Sequence, residues 1–204
     1  MNIAMESIAL AEHYIEFMHS ASEIRLYAKI WPLRSHQHLT PIILFHDSLD
    51  SVQLWRDFSA QLAEKIQRQV IAYGRYGFGQ SAVNHQPLTV SFVSDEATLG
   101  FAAVLIHLDI QDFIVMGHSI GGGMTTCCAA LYAEHCKALI TMSAQASIEE
   151  FTLAGIREAK QVFKQERQLE RLSKYHSNKA QWVLDSWTET CLSEDFKDWK
   201  LDDY

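Results

Sequence analysis

The sequence contains no block of lysine or arginine. Seventeen Lys and Arg stand against 25 Asp and Glu, a formal net charge of -8. A protein that grips a phosphate backbone needs a positive face, so nucleic acid is not an expected partner. No basic residue precedes Arg25, so the start lacks the charged n-region of a secretory signal. No apolar run approaches the ~20 residues that cross a bilayer, and no membrane partner is expected. These absences predict a cytoplasmic protein. Among Cys127, Cys128, Cys136 and Cys191 there is no C-x-x-C pair, and no histidine stands at zinc-ligand spacing. They read as small buried thiols of a reducing compartment. A P-loop is missing, and the glycines of "GRYGFGQS" do not follow G-x-G-x-x-G. Neither a metal nor a cofactor is therefore expected. Internal repeats and low-complexity segments are also absent.

What is present is a chain of 204 residues, 48% of them hydrophobic, enough for one globular domain with a small appendage. From His13 to Trp31, two short runs rich in aromatic and β-branched residues flank "SASE", which predicts an antiparallel hairpin. Ile42 to Phe45 are apolar without alternation, the mark of a strand buried on both faces. Residues 70–73, 113–116 and 138–142 have the same character. Between them, Trp55, Phe58, Leu62 and Ile66 recur at helical spacing, as do Phe101, Leu105 and Leu108, and Met124, Cys128 and Leu131. The order of a hairpin followed by alternating strands and helices predicts an α/β domain with a mainly parallel sheet. From Ser147 the pattern changes to charged, helical periodicity with no buried-strand run. The expected division is a core over 1–146 and a helical segment over 147–204.

The stretch "FIVMGHSIGGGM" carries the chemistry. Gly117-His118-Ser119-Ile120-Gly121 matches G-x-S-x-G, with an apolar strand before it and a helix after it. A serine on a strained strand-to-helix turn exposes its oxygen above the sheet. Glycines on either side remove Cβ atoms that would clash there. The free N–H groups of the helix start can then face a developing oxyanion.

With these residues the chain resembles the α/β-hydrolase superfamily, in particular its bacterial esterase-like and aminopeptidase-like members. "LFHDSLDSVQLW" stands where the family has its oxyanion loop. Arg75, Gly77, Gly79 and Ser81 fit the Arg-x-Gly-x-Gly-x-Ser turn after the next strand, and "VMGHSIGG" is the nucleophile elbow. The resemblance implies Ser119 as nucleophile. It implies the N–H of Ile120 and an N–H from Ser48 or Asp47 as oxyanion donors. His46, His118, Leu49 and Trp55 would belong to the surrounding pocket. It also implies a small ester or amide substrate, and a cap formed by the segment after Ser147. The aromatics Phe151, Phe163, Trp182, Trp187 and Trp199 read either as lining a pocket or as ordinary core.

Two departures stand out. The oxyanion loop is His46-Asp47-Ser48-Leu49-Asp50, without the family's glycines. A carboxylate there opposes negative charge unless it turns away. The family's triad runs Ser, then Asp or Glu, then His, but the acid and histidine positions find no counterpart in these residues. The expected fold is thus an α/β-hydrolase fold that lacks the last strands. After Ser119 only His135 and His176 occur. His135 is expected over ~15 Å away at the far end of the following helix, and His176 is expected at the cap surface. The reading is a serine hydrolase impaired in this form. The alternative is a non-catalytic relative that binds a small apolar ligand. Residues 138–142 are also expected to form an exposed apolar sheet edge, with a tendency to self-associate.

Overall fold

A computed structural model describes residues 10–19, 22–32 and 39–201. Six strands form one sheet: β1 (Ala11–His19), β2 (Ser22–Trp31), β3 (Ile42–Phe45), β4 (Val70–Tyr73), β5 (Phe113–His118) and β6 (Cys136–Met142). Their spatial order is β1-β2-β4-β3-β5-β6. β1 and β2 form the expected hairpin, with Tyr14 opposite Tyr27, and β2 runs antiparallel to β4. The other pairings are parallel. Ser20 and Ala21, part of the expected hairpin turn, lie outside the described residues.

The helices are α1 (Phe58–Ile66), α2 (Phe92–Thr98), α3 (Gly100–His107), α4 (Ile120–Leu131), α5 (Glu150–Val162), α6 (Glu166–His176) and α7 (Ala180–Cys191). The helix expected from Trp55 onward divides in two: Val52–Trp55 is a 3-10 turn, and the α-helix starts at Phe58. Arg56, between them, has a φ of 47°, a left-handed backbone that stops the first turn.

Alternate residues of the central strands feed two apolar layers. Ile43, Phe45, Ile71, Phe113 and Val115 join Phe101, Val104 and Met124 on one face of the sheet. Ile42, Leu44, Val70, Ala72 and Met116 join Ala63 of α1 on the other. Burial on both faces explains why β3 and β4 are continuous apolar runs. β6 has the same apolar character but lies at the sheet edge, and Ala138 to Thr141 are exposed, as expected for residues 138–142. Leu139 retains 42% of its surface and Ile140 39%. β6 pairs only with β5, and no described element packs over its outer side. Its apolar composition reflects strand character without the burial that usually goes with it. The cysteines Cys127, Cys128 and Cys191 are buried and free, and Cys136 is half-buried.

The segment after β6 leaves and returns through one narrow neck. Leu201 N–H donates to Ala146 O at 2.8 Å, Ile148 N–H donates to Trp199 O at 3.2 Å, and Ser147 bridges Lys200. The helices α5 to α7 lie between these crossings.

Where α4 meets β3, backbone packs directly on backbone. A Cβ on Gly121 would lie 2.5 Å from Phe45 O and 2.7 Å from His46 O. Gly121→Ala must therefore push backbone apart. A destabilisation of about 1–3 kcal/mol is expected from such overpacking, read as a lower denaturant midpoint at unchanged slope.

Candidate active site

Ser119 sits between β5 and α4 with φ 54° and ψ -122°, a backbone that a residue with a Cβ rarely adopts. Hydrogen bonds hold it there. Its N–H donates to Met142 O at 2.9 Å, and its carbonyl accepts from Gly122 at 2.9 Å and Gln145 at 3.2 Å. Glycines absorb the crowding, because a Cβ on Gly117 would collide with Gly121 O. As the first residue of α4, Ile120 has an N–H with no partner within the helix.

Ser119 opens onto a cavity of about 290 Å³. The loop residues Asp47, Ser48, Leu49 and Asp50 form one wall. Thr152, Gly155 and Ile156 of α5, Trp187 of α7 and Gln145 form the other. Gly155 helps keep the space open, since a Cβ there would meet nothing within 4 Å. Of the sequence-predicted residues, the structure brings Ser119, Asp47, Ser48 and Leu49 together around this cavity. Trp55 does not line it. Its ring stacks on Phe58 at 5.5 Å and packs under the sheet. His46 and His118 do not line it either.

His46 is buried behind the loop. Arg75 N–H donates to its Nε2 at 3.2 Å, which leaves Nδ1–H to donate to Asp47 O at 2.9 Å. Burial, then the charge of Arg75, holds its pKa well below the usual 6.5. Arg75 also donates from Nη2 to Asp47 O at 2.9 Å. The loop is thus clamped from beneath by groups on the β4 side.

Asp47 does not turn outward. Its Oδ1 accepts the N–H of Ser48 at 2.6 Å, and its Oδ2 lies 3.5 Å from His118 Nδ1. The carboxylate therefore occupies one of the two N–H groups expected to face an oxyanion. Asp50, beside it, has its carboxyl pushed up to about 6 by burial and by the charge of Asp47. Sequence spacing carried no signal for the Asp47–His118 pair, which forms only because β3 and β5 are neighbours.

His176 overturns the expectation of a surface histidine. It is fully buried, because the junction between α6 and α7 packs down onto the turn after β4. Gly79 N–H donates to its Nδ1 at 2.9 Å, and its Nε2–H donates to Leu49 O at 2.9 Å. One imidazole thus ties the cap to both loops that frame the site. Its edge faces Phe78 at 6.0 Å. Around it, Lys179 Nζ donates to Ser81 O, and Trp182 fills the space that a Cβ on Gly77 would need. His135 lies at the opposite end of the sheet, where it meets Asp112 at 3.5 Å and its carbonyl accepts from Phe113 N–H. Of the cap aromatics, Trp187 alone lines the Ser119 cavity among the described residues. Trp199 stacks on Phe196 at 5.2 Å, and Phe151 is exposed.

Residues 40–199 match the family described as "alpha/beta hydrolase fold", and the chain belongs to that family. It is similar in structure to a carboxylesterase of the thaumarchaeon Nitrososphaera gargenis. The TM-score is 0.66 at 17% identity, covering 91% of this chain and 73% of that one. It is likewise similar to an esterase of Thermogutta terrifontis, with a TM-score of 0.57 at 18% identity over 92% of this chain and 68% of that one. A proline iminopeptidase of Mycobacterium smegmatis gives a TM-score of 0.61 at 18% identity, with 95% and 77% covered. Across such structures the chain spans 57% to 77% of the other protein's length. At these identities the likeness is one of fold. Among the described residues, no group of three or more His, Cys, Asp or Glu is placed to hold a metal ion. No described helix is long and apolar enough to cross a membrane.

Two outcomes are expected from this geometry. Asp47→Gly frees the Ser48 N–H, whereas Asp47→Asn keeps an acceptor on it. The glycine variant should react with a phosphonylating probe at Ser119 up to ~10²-fold faster than wild type, and the asparagine variant should not. Stopped-time mass spectrometry measures both. The second outcome concerns pH. Burial, the largest cause, lowers His176 from 6.5 to about 4. Between those values the unfolded chain binds the extra proton and the folded chain does not. Stability is therefore complete above pH 6.5 and falls as pH drops toward 4, by up to about 3 kcal/mol from this group. Denaturation midpoints of wild type and His176→Gln between pH 7 and 4.5 should show the flatter dependence in the variant.

Proposed function

We propose that Ser119 is the nucleophile of a serine hydrolase that acts on a small carboxylic ester or amide. The observation that carries this is the elbow itself. A seryl residue is held at positive φ, at the start of α4, at the mouth of a cavity closed by the 47–50 loop and two cap helices. Attack by Oγ on a carbonyl carbon would form a tetrahedral adduct whose oxygen bears the charge. The N–H of Ile120 is placed for that oxygen, supported by the positive end of α4. The N–H of Ser48 joins it when the Asp47 carboxylate leaves. The modest cavity favours a small acyl or leaving group, and Trp187 and Ile156 give it an apolar wall. The relatives described as a carboxylesterase and a proline iminopeptidase support an ester or amide as the bond cleaved.

Proton transfer is the weak step in this chain. Both ring nitrogens of His46 and of His176 are engaged with backbone groups, His135 is at the wrong end of the sheet, and His118, paired with Asp47, does not line the Ser119 cavity. A serine without a positioned base retains the acceleration from its oxyanion donors and from binding, ~10³–10⁴-fold over water. This favours slow turnover, and it gives weight to a second reading in which the cavity binds a small apolar ligand without cleaving it.

Intact-mass analysis after treatment with a fluorophosphonate separates the two. Stoichiometric labelling of the wild type, absent in Ser119→Ala, is expected for the hydrolase. A wild type that stays unlabelled under conditions that saturate a known serine hydrolase would replace that reading with the binding protein.

A further inference from the structure

A larger cavity lies away from Ser119. A space of about 550 Å³ lies between the β1–β2 hairpin, the turn after β4 and helix α2. Phe17 and Ile24 of the hairpin, Leu88 of the loop before α2 and Phe92 of α2 supply apolar walls, and Arg75, Asp95 and Glu96 are the charged residues beside several uncharged polar ones. None of Ser119, the 47–50 loop or the cap helices lines it.

Arg75 is the unusual feature. It is 96% buried, by its 4% exposure. Its guanidinium carbon lies 4.1 Å over the ring of Phe78, which fixes the plane, and its Nη2 donates to Asp47 O. Its Nε–H is buried with no hydrogen-bond partner. Among the described residues, none of the ion pairs involves Arg75. A buried donor left unfilled is costly, and a planar carboxylate is the group that matches the guanidinium fork. Glu96, Asp47 and Asp50 act on the Arg75 charge without a direct ion pair, and Asp95 on the same wall is held by the hydroxyls of Thr89 and Ser91. Glu96 accepts from Tyr73 Oη–H at 2.6 Å, and burial pushes its carboxyl up to about 7.

We propose that this cavity is a second ligand site, which binds a small monocarboxylate with an aliphatic or aromatic body. The carboxylate meets the Arg75 guanidinium, and the body lies against Phe17, Ile24, Leu88 and Phe92. The volume falls within the range of small-molecule sites. The site is independent of the chemistry proposed at Ser119.

The test uses the 204-residue chain with octanoate as probe and octanol as its uncharged counterpart, at pH 6.5. Isothermal titration calorimetry and ligand-observed NMR report binding. One octanoate per chain is expected, with a dissociation constant below about 1 mM. Octanol should bind at least ~10-fold more weakly, because it cannot use the guanidinium. Ser119→Ala should bind octanoate as wild type does. Leu88→Trp, which fills the cavity from a half-buried loop position, should abolish binding. Arg75→Lys should weaken it about tenfold or more, since an ammonium does not present a fork. Circular dichroism checks that each variant is folded, and if the Arg75 variant is not, the octanol comparison and Leu88→Trp decide. Absence of binding, equal affinity for octanol, or octanoate binding undisturbed by Leu88→Trp would each overturn the proposal.

Discussion

The approach of α4 to the carboxyl end of β3, backbone against backbone, is the contact on which the rest of the site depends. Gly121 lets the first turn of the helix rest on the carbonyls of Phe45 and His46. Gly117 lets the strand before it pass under the same turn. With both in place, Ser119 is pushed into a positive φ and its side chain cannot fold back into the sheet. The geometry also brings the end of β3, and the 47–50 loop that follows it, to within reach of the serine. A single Cβ at Gly121 would separate Ser119 from the loop that completes its cavity. Strain at one serine is thus held by close packing spread over two strands and a helix.

The histidines near the site serve this architecture as hydrogen-bonding joints. Each of His46 and His176 accepts one backbone N–H and donates to one backbone carbonyl. A neutral imidazole can do both at once, and burial keeps it neutral. His46 joins the loop after β3 to the turn after β4. His176 joins that turn and the same loop to the cap. The glycine-bearing turn Gly74 to Ser81 is therefore the hub. Ser81 Oγ donates to Gly74 O and accepts from Tyr27 N–H, so the hairpin is tied to it as well. A ring whose two nitrogens are committed in this way has none left to move a proton for Ser119.

Asp47 has a double part in that network. Its carbonyl is held by His46 and Arg75, while its side chain turns over the top of the loop to the Ser48 N–H and His118. A loop with glycine at this position would leave the N–H open. Here the carboxylate satisfies a donor that the fold otherwise leaves unpaired, which steadies the loop. Arg75 connects this loop to the larger cavity beneath the hairpin. That cavity and the one beside the 47–50 loop thus share one clamp, though no lining residue.

The strands, their order along the chain and the serine elbow were legible from residue pattern alone. A run such as Ile42–Phe45 is apolar because both its faces are buried. G-x-S-x-G between a strand and a helix admits few backbone solutions. The positions of Ser119, Ser48, Asp47 and Leu49 around one cavity followed from these. What the pattern did not contain was anything that depends on packing between distant segments. His176 looked like a surface residue of a charged helix, and only the docking of α6 and α7 onto the turn after β4 buried it. The side chain of Asp47 and its pairing with His118 required β3 beside β5. Arg75 read as part of a turn motif, and its unfilled Nε–H appeared only once Phe78, Asp47 and the hairpin closed around it. Local propensity and periodicity act over a few residues and are written in order along the chain. Hydrogen bonds such as that from His176 to Leu49 join residues 127 apart in sequence, and these the tertiary structure alone decided.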